Sequence, residues 1–228
     1  MWSGIGIVRQ VTNALAERPF RPGEERVTTA TAIEALSWAW TKFEDRCCVL
    51  SSMQDAIVID LALRVDRRFP IVFLDTGYHF AETWDMLRSV EEHYGIEVRV
   101  VGPVSPVTAD VAPGECCNDK VTLLEMALQD CDAWVSGIRR SQTSQRRTAE
   151  VLGRDNAGRT KINPLAQWSD EDAARFARSR NILRNPLLDQ GYLSIGCEPC
   201  TTPPEDASDA RSGRWAGSTR TECGLHLT

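Results

Sequence analysis

Two cysteine pairs constrain this chain more than any other feature: Cys116-Cys117, and Cys197-Glu198-Pro199-Cys200 about eighty residues later. Adjacent cysteines close a strained disulfide ring, whereas Cys-x-x-Cys is common in zinc and iron-sulfur sites, so four thiolates in two pairs suit a metal or a cluster. Structural zinc usually takes two spaced pairs, so the contiguous pair favours a cluster; unconnected core cysteines are the plain alternative. A fifth cysteine stands apart in Thr221-Glu222-Cys223-Gly224-Leu225-His226. Arg220 and a protonated His226 can lower its pKa, which suits a nucleophile, against the alternative of an exposed terminal thiol with no role. Cys47, Cys48 and Cys131 begin or precede apolar runs and read as buried packing thiols.

The 228 residues fit one large domain or a domain with an appendage, and 42% hydrophobic residues allow a sizeable core. A net charge of -6 argues against a nucleic-acid binder that relies on a broad basic surface. Met1 to Phe20 lacks a long apolar segment and carries Arg9, Glu17 and Arg18. No signal peptide or membrane span is expected there, which makes the cytoplasm the expected compartment. Eight cysteines in that compartment read as ligands or reactive thiols rather than disulfides. No membrane or nucleic-acid partner is expected, and homo-oligomerisation is left open.

Residues 1–26 read as a weakly organised lead-in, broken by Pro19, Pro22 and Gly23. Apolar spacing predicts helices over Thr31–Phe43, Asp55–Val65 and Ala81 to about Tyr94. Short apolar runs predict strands at Cys47–Leu50, Ile71–Leu74, Val98–Val101 and Ala133–Val135. Ser169, with Asp172 at the capping-box position, predicts a further helix to about Ser179. This alternation implies an α/β fold, a doubly wound and mostly parallel sheet with helices on its faces. From Thr201 the chain turns polar and Pro-containing, and reads as a mobile C-terminal tail.

In such sheets ligands bind beyond the carboxyl ends of the strands. Ser51-Ser52-Met53-Gln54-Asp55 and Asp75-Thr76-Gly77 occupy two such ends, where hydroxyls and helix amides can hold an oxyanion. Ordinary capped turns are the alternative. No Walker-type loop is present, so standard P-loop ATP hydrolysis is not expected. Seven basic residues between Arg139 and Lys161 face only Glu150 and Asp155, a local +5. Arginine forks match phosphate and sulfate oxygens, so a compact anionic substrate fits, a solvated basic loop being the alternative. Arg211 and Arg214 can close over the same anion.

With these motifs in this order, the chain resembles the iron-sulfur branch of the phosphoadenylyl-sulfate (PAPS) reductase family, the assimilatory adenylyl-sulfate (APS) reductases. The resemblance covers nearly everything after residue 45. It is carried by the Ser51–Asp55 loop, Leu74-Asp75-Thr76-Gly77-Tyr78-His79, Cys116-Cys117, Gly137-Ile138-Arg139-Arg140 and Lys161-Ile162-Asn163-Pro164-Leu165. It continues through Gly191–Cys200, Arg211–Trp215 and Glu222–His226. It implies a Rossmann-like, adenine nucleotide alpha hydrolase-like catalytic domain over 1–200, with residues 201–228 as a tail bearing the nucleophile. It implies a 4Fe-4S cluster on Cys116, Cys117, Cys197 and Cys200. Cys223 would attack the sulfur of adenylyl sulfate, releasing AMP and leaving a thiosulfonate that thioredoxin or a similar dithiol protein resolves to sulfite, in sulfate assimilation toward cysteine. Ser51, Ser52, Asp55, Leu74, Thr76 and Gly77 would hold the adenylate; Arg139, Arg211, Arg214 and His226 would face the phosphosulfate.

The resemblance has two departures. Lys120 stands three residues after Cys117, where the family places a lysine four residues after the double cysteine. The nucleotide loop also lacks the Ser-Gly-Gly-x-Asp-Ser pattern of related ATP pyrophosphatases, which fits a substrate without a pyrophosphate to grip. PAPS reduction, ATP-dependent RNA thiolation on the same fold, and a zinc-stabilised binding module are the competing expectations.

Overall fold

The structure is a computed structural model that describes residues 25–108, 111–206, 209–215, 222 and 224–225. In chain order its elements are α1 (Glu25–Phe43), β1 (Cys47–Leu50), α2 (Ile57–Val65), β2 (Ile71–Leu74), α3 (Ala81–Tyr94), β3 (Val98–Val101), α4 (Lys120–Ala127), β4 (Ala133–Ser136), β5 (Leu152–Arg154), β6 (Thr160–Ile162) and α5 (Asp170–Arg180). They build one six-stranded sheet in the order β3-β2-β1-β4-β6-β5, parallel except for the β5–β6 pair. The chain runs outward from β1 through β2 to β3, then returns to the far side of β1 to lay down β4. The carboxyl ends of β1 and β4 therefore flank a switch point, where an open sheet leaves a crevice.

The central strands are apolar runs because both faces are covered. Cys47, Cys48 and Val49 of β1 and Ala133, Trp134 and Val135 of β4 are at most 1% exposed. One face packs on α1, α2 and α3 through residues such as Leu36, Ile59, Leu61 and Val90. The other meets α4, where Cys48, Val72, Leu124, Leu128 and Trp134 form a second cluster. Each such buried large apolar side chain stabilises the fold by about 1.5–3 kcal/mol. Helix ends follow the expected chemistry. Gly95 takes the left-handed conformation after α3, and Ser169 and Asp172 make a reciprocal capping box at α5.

The segment after α5 does not leave the sheet but crosses back over its carboxyl edge. Ala56 N donates to Leu183 O (3.0 Å), Asn185 N to Gln54 O (3.0 Å), and Glu198 N to Tyr78 O (2.7 Å). The loops that end β1 and β2 are thereby fixed from above. The polar stretch expected to be mobile continues this course where it is described. Trp215 N donates to Cys200 O (2.9 Å), Thr202 N to Gly213 O (2.8 Å), and Thr201 forms a bridge with Arg214. Backbone pairing and ion pairs, rather than an apolar stripe, dock this segment, which is why its composition reads as loop. Among the described residues, no helix is long and apolar enough to cross a membrane.

Candidate active site and cysteine centre

Beyond the carboxyl ends of β1, β2 and β4 lies a cavity of about 690 Å³. Its floor is apolar, formed by Leu50, Val58, Phe73, Leu74, Trp134 and Ile138. Its rim is cationic, with Lys120, Arg139, Arg146, Arg211 and Arg214 facing inward from four separate stretches of chain. The arrangement suits a ligand with an aromatic or apolar body and an anionic end.

The loop after β1 lines one side. Ser51 Oγ accepts from Met53 N (3.2 Å), and Asp55 Oδ1 accepts from Ile57 N (3.1 Å) at the start of α2. Met53 takes φ 57 with its side chain fully buried, a left-handed turn that a large residue adopts only when its surroundings fix it. Ser51, Ser52, Asp55 and Leu74 all line the cavity, as the sequence led one to expect. Thr76 and Gly77 do not. Thr76 Oγ1 lies 3.2 Å from Cys197 Sγ, and Gly77, at φ 78, packs against Val107 while its N–H donates to Asp75 Oδ1 (2.6 Å). This turn faces the cysteines rather than the cavity because β2 ends one residue before it.

His79 was read from the sequence only as part of a motif, yet it lines the cavity. Its Nε2 donates to Leu74 O (3.0 Å), and its ring lies 4.6 Å from Phe73. Burial first, and Lys120 second, push it down to about 4, so it presents a neutral ring at neutral pH. Lys120 itself is buried and rims the cavity despite its shifted spacing.

The arginines divide by partner. Arg139 meets Asp170 at the start of α5 (2.9 Å) and retains a place on the rim. Arg214 lies over the Trp215 ring (4.5 Å), with Nη1 donating to Ser194 Oγ (3.2 Å) and its Nε buried without a partner. Arg211 lies 5.3 Å from the same ring. Arg146 is committed elsewhere: it grips Glu222 through two hydrogen bonds of 2.8 Å. Much of the basic run is likewise structural, since Arg159 pairs with Asp155 and Glu125.

Against one wall stand the four cysteines, brought together from the β3–α4 excursion and the segment after α5. Cys116 Sγ lies 2.8 Å from Cys200 Sγ and 3.9 Å from Cys117 Sγ. The sulfurs of Cys116, Cys117 and Cys197 fall within 4.8 Å of one another, a group able to hold a metal ion. All four are at most 4% exposed and pack with Trp215. Hydrogen bonds from Cys116, Cys197 and Cys200, joined by Lys120, hold Cys117 well below the usual thiol range. Gly114 N donates to Cys200 Sγ (3.0 Å), and the buried Trp215 Nε1–H has no acceptor. Four buried sulfurs, an amide and an orphaned indole N–H aimed among them fit a sulfur-rich metal group.

Cys223 and His226 lie outside the described residues. Their neighbours are described: Glu222 is buried among Arg146, Thr143 and Arg211, and Leu225 lines the cavity and packs on the Cys48–Trp134 cluster. Cys47 and Cys48 are buried packing thiols as expected; Cys131 is only half-buried. Sequence reasoning missed Glu222, Arg146 and Asp170 as site residues. Only the capping position of Asp170 and the basic cluster around Arg146 signalled them.

The phosphoadenosine phosphosulfate reductase domain matches residues 46–203. A curated relative from Mycolicibacterium smegmatis, named adenosine 5'-phosphosulfate reductase, is 43% identical over 226 residues, covering 94% of each chain. One of the same name from Streptomyces coelicolor is 44% identical, covering 93% of this chain and 94% of that one. Among solved structures, a phosphoadenylyl-sulfate reductase from Candida auris superposes with a TM-score of 0.63 at 21% identity, covering 89% of this chain and 99% of its own. An FMN adenylyltransferase from Candida glabrata follows with 0.61 at 15%, covering 88% and 72%. These two likenesses show the adenine-nucleotide α/β fold, and the match over residues 46–203 together with the long, closely similar relatives shows that the chain belongs to the phosphoadenosine phosphosulfate reductase family.

Proposed function

We propose that this chain reduces adenylyl sulfate to sulfite and AMP in sulfate assimilation, with Cys223 as nucleophile. The observation that carries the proposal is the cavity itself. An apolar floor able to take an adenine ends in a cationic rim, the cysteine centre stands against it, and the tail residues flanking Cys223 pack at its edge. The relatives named adenosine 5'-phosphosulfate reductase supply the substrate class.

In this reading the Cys223 thiolate attacks the sulfate sulfur. An S–S bond forms as the S–O bond to AMP breaks, and AMP leaves with the electron pair of that bond. A dithiol protein of the thioredoxin type then attacks the Cys223 sulfur. Sulfite departs, and the dithiol, oxidised to its disulfide, has supplied the two electrons. Arg139, Arg211 and Arg214 hold the phosphate and sulfate oxygens, while Ser51, Ser52, Asp55 and Leu74 seat the adenylate. Cys116, Cys117, Cys197 and Cys200 would hold a 4Fe-4S cluster, which supplies electrostatic support for the sulfate group rather than electrons. The proposal places the protein in a reducing compartment such as the cytoplasm.

The test is an anaerobic preparation mixed with adenylyl sulfate but no reductant, then weighed intact. The expected result is a sulfonate-sized gain, mapped to Cys223 and removed by thioredoxin. A brown, fully loaded protein that forms no adduct would overturn the reading.

A further inference from the structure

Arg146 is the one rim arginine whose fork is already filled. Its Nε and Nη2 each lie 2.8 Å from a different oxygen of Glu222, and its Nη1 donates to Gln142 Oε1 (2.6 Å). Thr143 Oγ1 donates to the same carboxylate (3.0 Å), and Arg211 Nη2 approaches it at 3.4 Å. The side chains of Arg146 and Glu222 are only 9% and 3% exposed. A carboxylate set among guanidiniums that rim an anion site competes with any anionic substrate, so its place there needs a further reason. Its sequence position supplies one, since Glu222 adjoins Cys223. Beyond Cys223, Gly224 takes φ 90, and Leu225 packs on the Cys48–Trp134 cluster inside the cavity. The tail is thus fastened by an ion pair before Cys223 and by an apolar plug after it.

We propose that Glu222 is a positioning residue for sulfur attack: its carboxylate, clamped by Arg146 and Thr143, latches the tail to the cavity rim and sets the adjoining thiol against the substrate. The basic run then has two duties. Arg139, with Arg211 and Arg214 from the tail, serves the substrate, and Arg146 serves the tail. The latch must also release, because a nucleophile that meets the substrate first must later meet a protein dithiol. A partly solvated rim and a carboxylate that exchanges between fastened and open states allow both. Buried charge-assisted hydrogen bonds of this number are strong enough to govern the fraction of time the tail is docked.

The assignment rests on Cys223 being the nucleophile, and its test separates the two. In the anaerobic holoenzyme, wild type and Glu222→Gln are compared by three measurements: alkylation of Cys223 by iodoacetamide without substrate, single-turnover adduct formation with adenylyl sulfate, and AMP affinity by calorimetry. The expected result is alkylation about tenfold faster and adduct formation about tenfold slower, with AMP affinity within about twofold. Thr143→Val removes one donor but leaves every charge in place, and is expected to move both rates the same way by about threefold. Alkylation unchanged in both variants would overturn the latch. So would a loss of AMP affinity as large as the loss of adduct rate, because Glu222 would then act through the substrate-binding arginines. A wild-type protein that is alkylated at Cys223 but forms no adduct fails the reductase reading, while the alkylation rates still judge the latch.

Discussion

Lys161 shows how much a single buried charge under this site can report. It lies on β6, 4% exposed, with its ammonium 5.0 Å from the Trp134 ring that floors the cavity. Burial first and the nearby Arg146 second push its pKa from 10.5 down to about 8, against the opposing pull of Asp155 and Glu222. Between these two values the unfolded chain binds more protons than the folded one, so this residue makes stability rise with pH across that window. Below it, holding the charge inside the fold costs stability. Lys161→Met removes that cost but also the cation–π contact, which offsets part of the gain. The variant is expected to exceed wild type by on the order of 1 kcal/mol near pH 7, with the advantage shrinking toward about pH 10. Thermal melts of both proteins across that range check it, and parallel curves would show that Lys161 carries no such shift. Glu222 has the opposite sign. Its arginines hold it below the usual carboxylate value against burial, so the docking it provides is present above the ordinary range and is lost as pH falls through its folded value.

The Arg211–Trp215 turn is the element on which substrate rim and cysteine centre meet. Arg214 reaches Ser194 on one side, and Trp215 covers the four sulfurs on the other. The turn sits so close to Thr202 that a Cβ on Gly213 would stand 2.0 Å from Thr202 O. That carbonyl's residue cannot swing aside freely, since Thr202 N donates to Gly213 O. Gly213→Ala is therefore expected to push the turn outward, destabilise the fold by about 2 kcal/mol and lower iron content and visible absorbance together. Full iron content in the variant would mean that Trp215 does not depend on this contact. The sequence announces Gly213 only as part of a motif, because the close approach is made by a residue eleven positions away. The same reasoning separates what was legible from what was not. The strands β1 to β3 and α3 are readable because each is a continuous apolar run or a regular stripe bounded by turn residues. β5 and β6 are three residues long, include Gly153 and Lys161, and carry no alternation. α4 spans eight residues with Val121 and Met126 exposed beside a buried Leu123 and Leu124, so its pattern is blurred. The Arg146–Glu222 pair joins positions 76 apart, and neither residue signals burial, since both stand in polar stretches that read as solvated.

At the scale of the molecule, the two cysteine pairs arrive from opposite sides of the chain's reversal. Cys116 and Cys117 belong to the excursion between β3 and α4, while Cys197 and Cys200 follow α5, after the chain has crossed to the other half of the sheet. Around them the contacts are sparse: Tyr78, Val111 and Trp215 are the apolar neighbours of the four sulfurs among the described residues. The sheet, by contrast, rests on a separate and much larger core that includes no residue of the centre. A metal group bound by all four sulfurs would therefore fasten two long excursions to each other without supporting the strands beneath them. Binding to the folded state alone stabilises it by mass action, and removal returns that stability. Stripping the metal anaerobically with a chelator is thus expected to lower Tm by several degrees while far-ultraviolet circular dichroism keeps nearly all of its native signal. Hydrogen exchange should quicken over residues 111–118 and 197–215, and the amides of β1, β2 and β4 should keep their protection. Cys116→Ser should reproduce this pattern without a chelator. Loss of protection across the central strands would instead mean that the cysteine centre and the sheet unfold as one unit, and that the centre is part of the fold's foundation rather than a clasp at its rim.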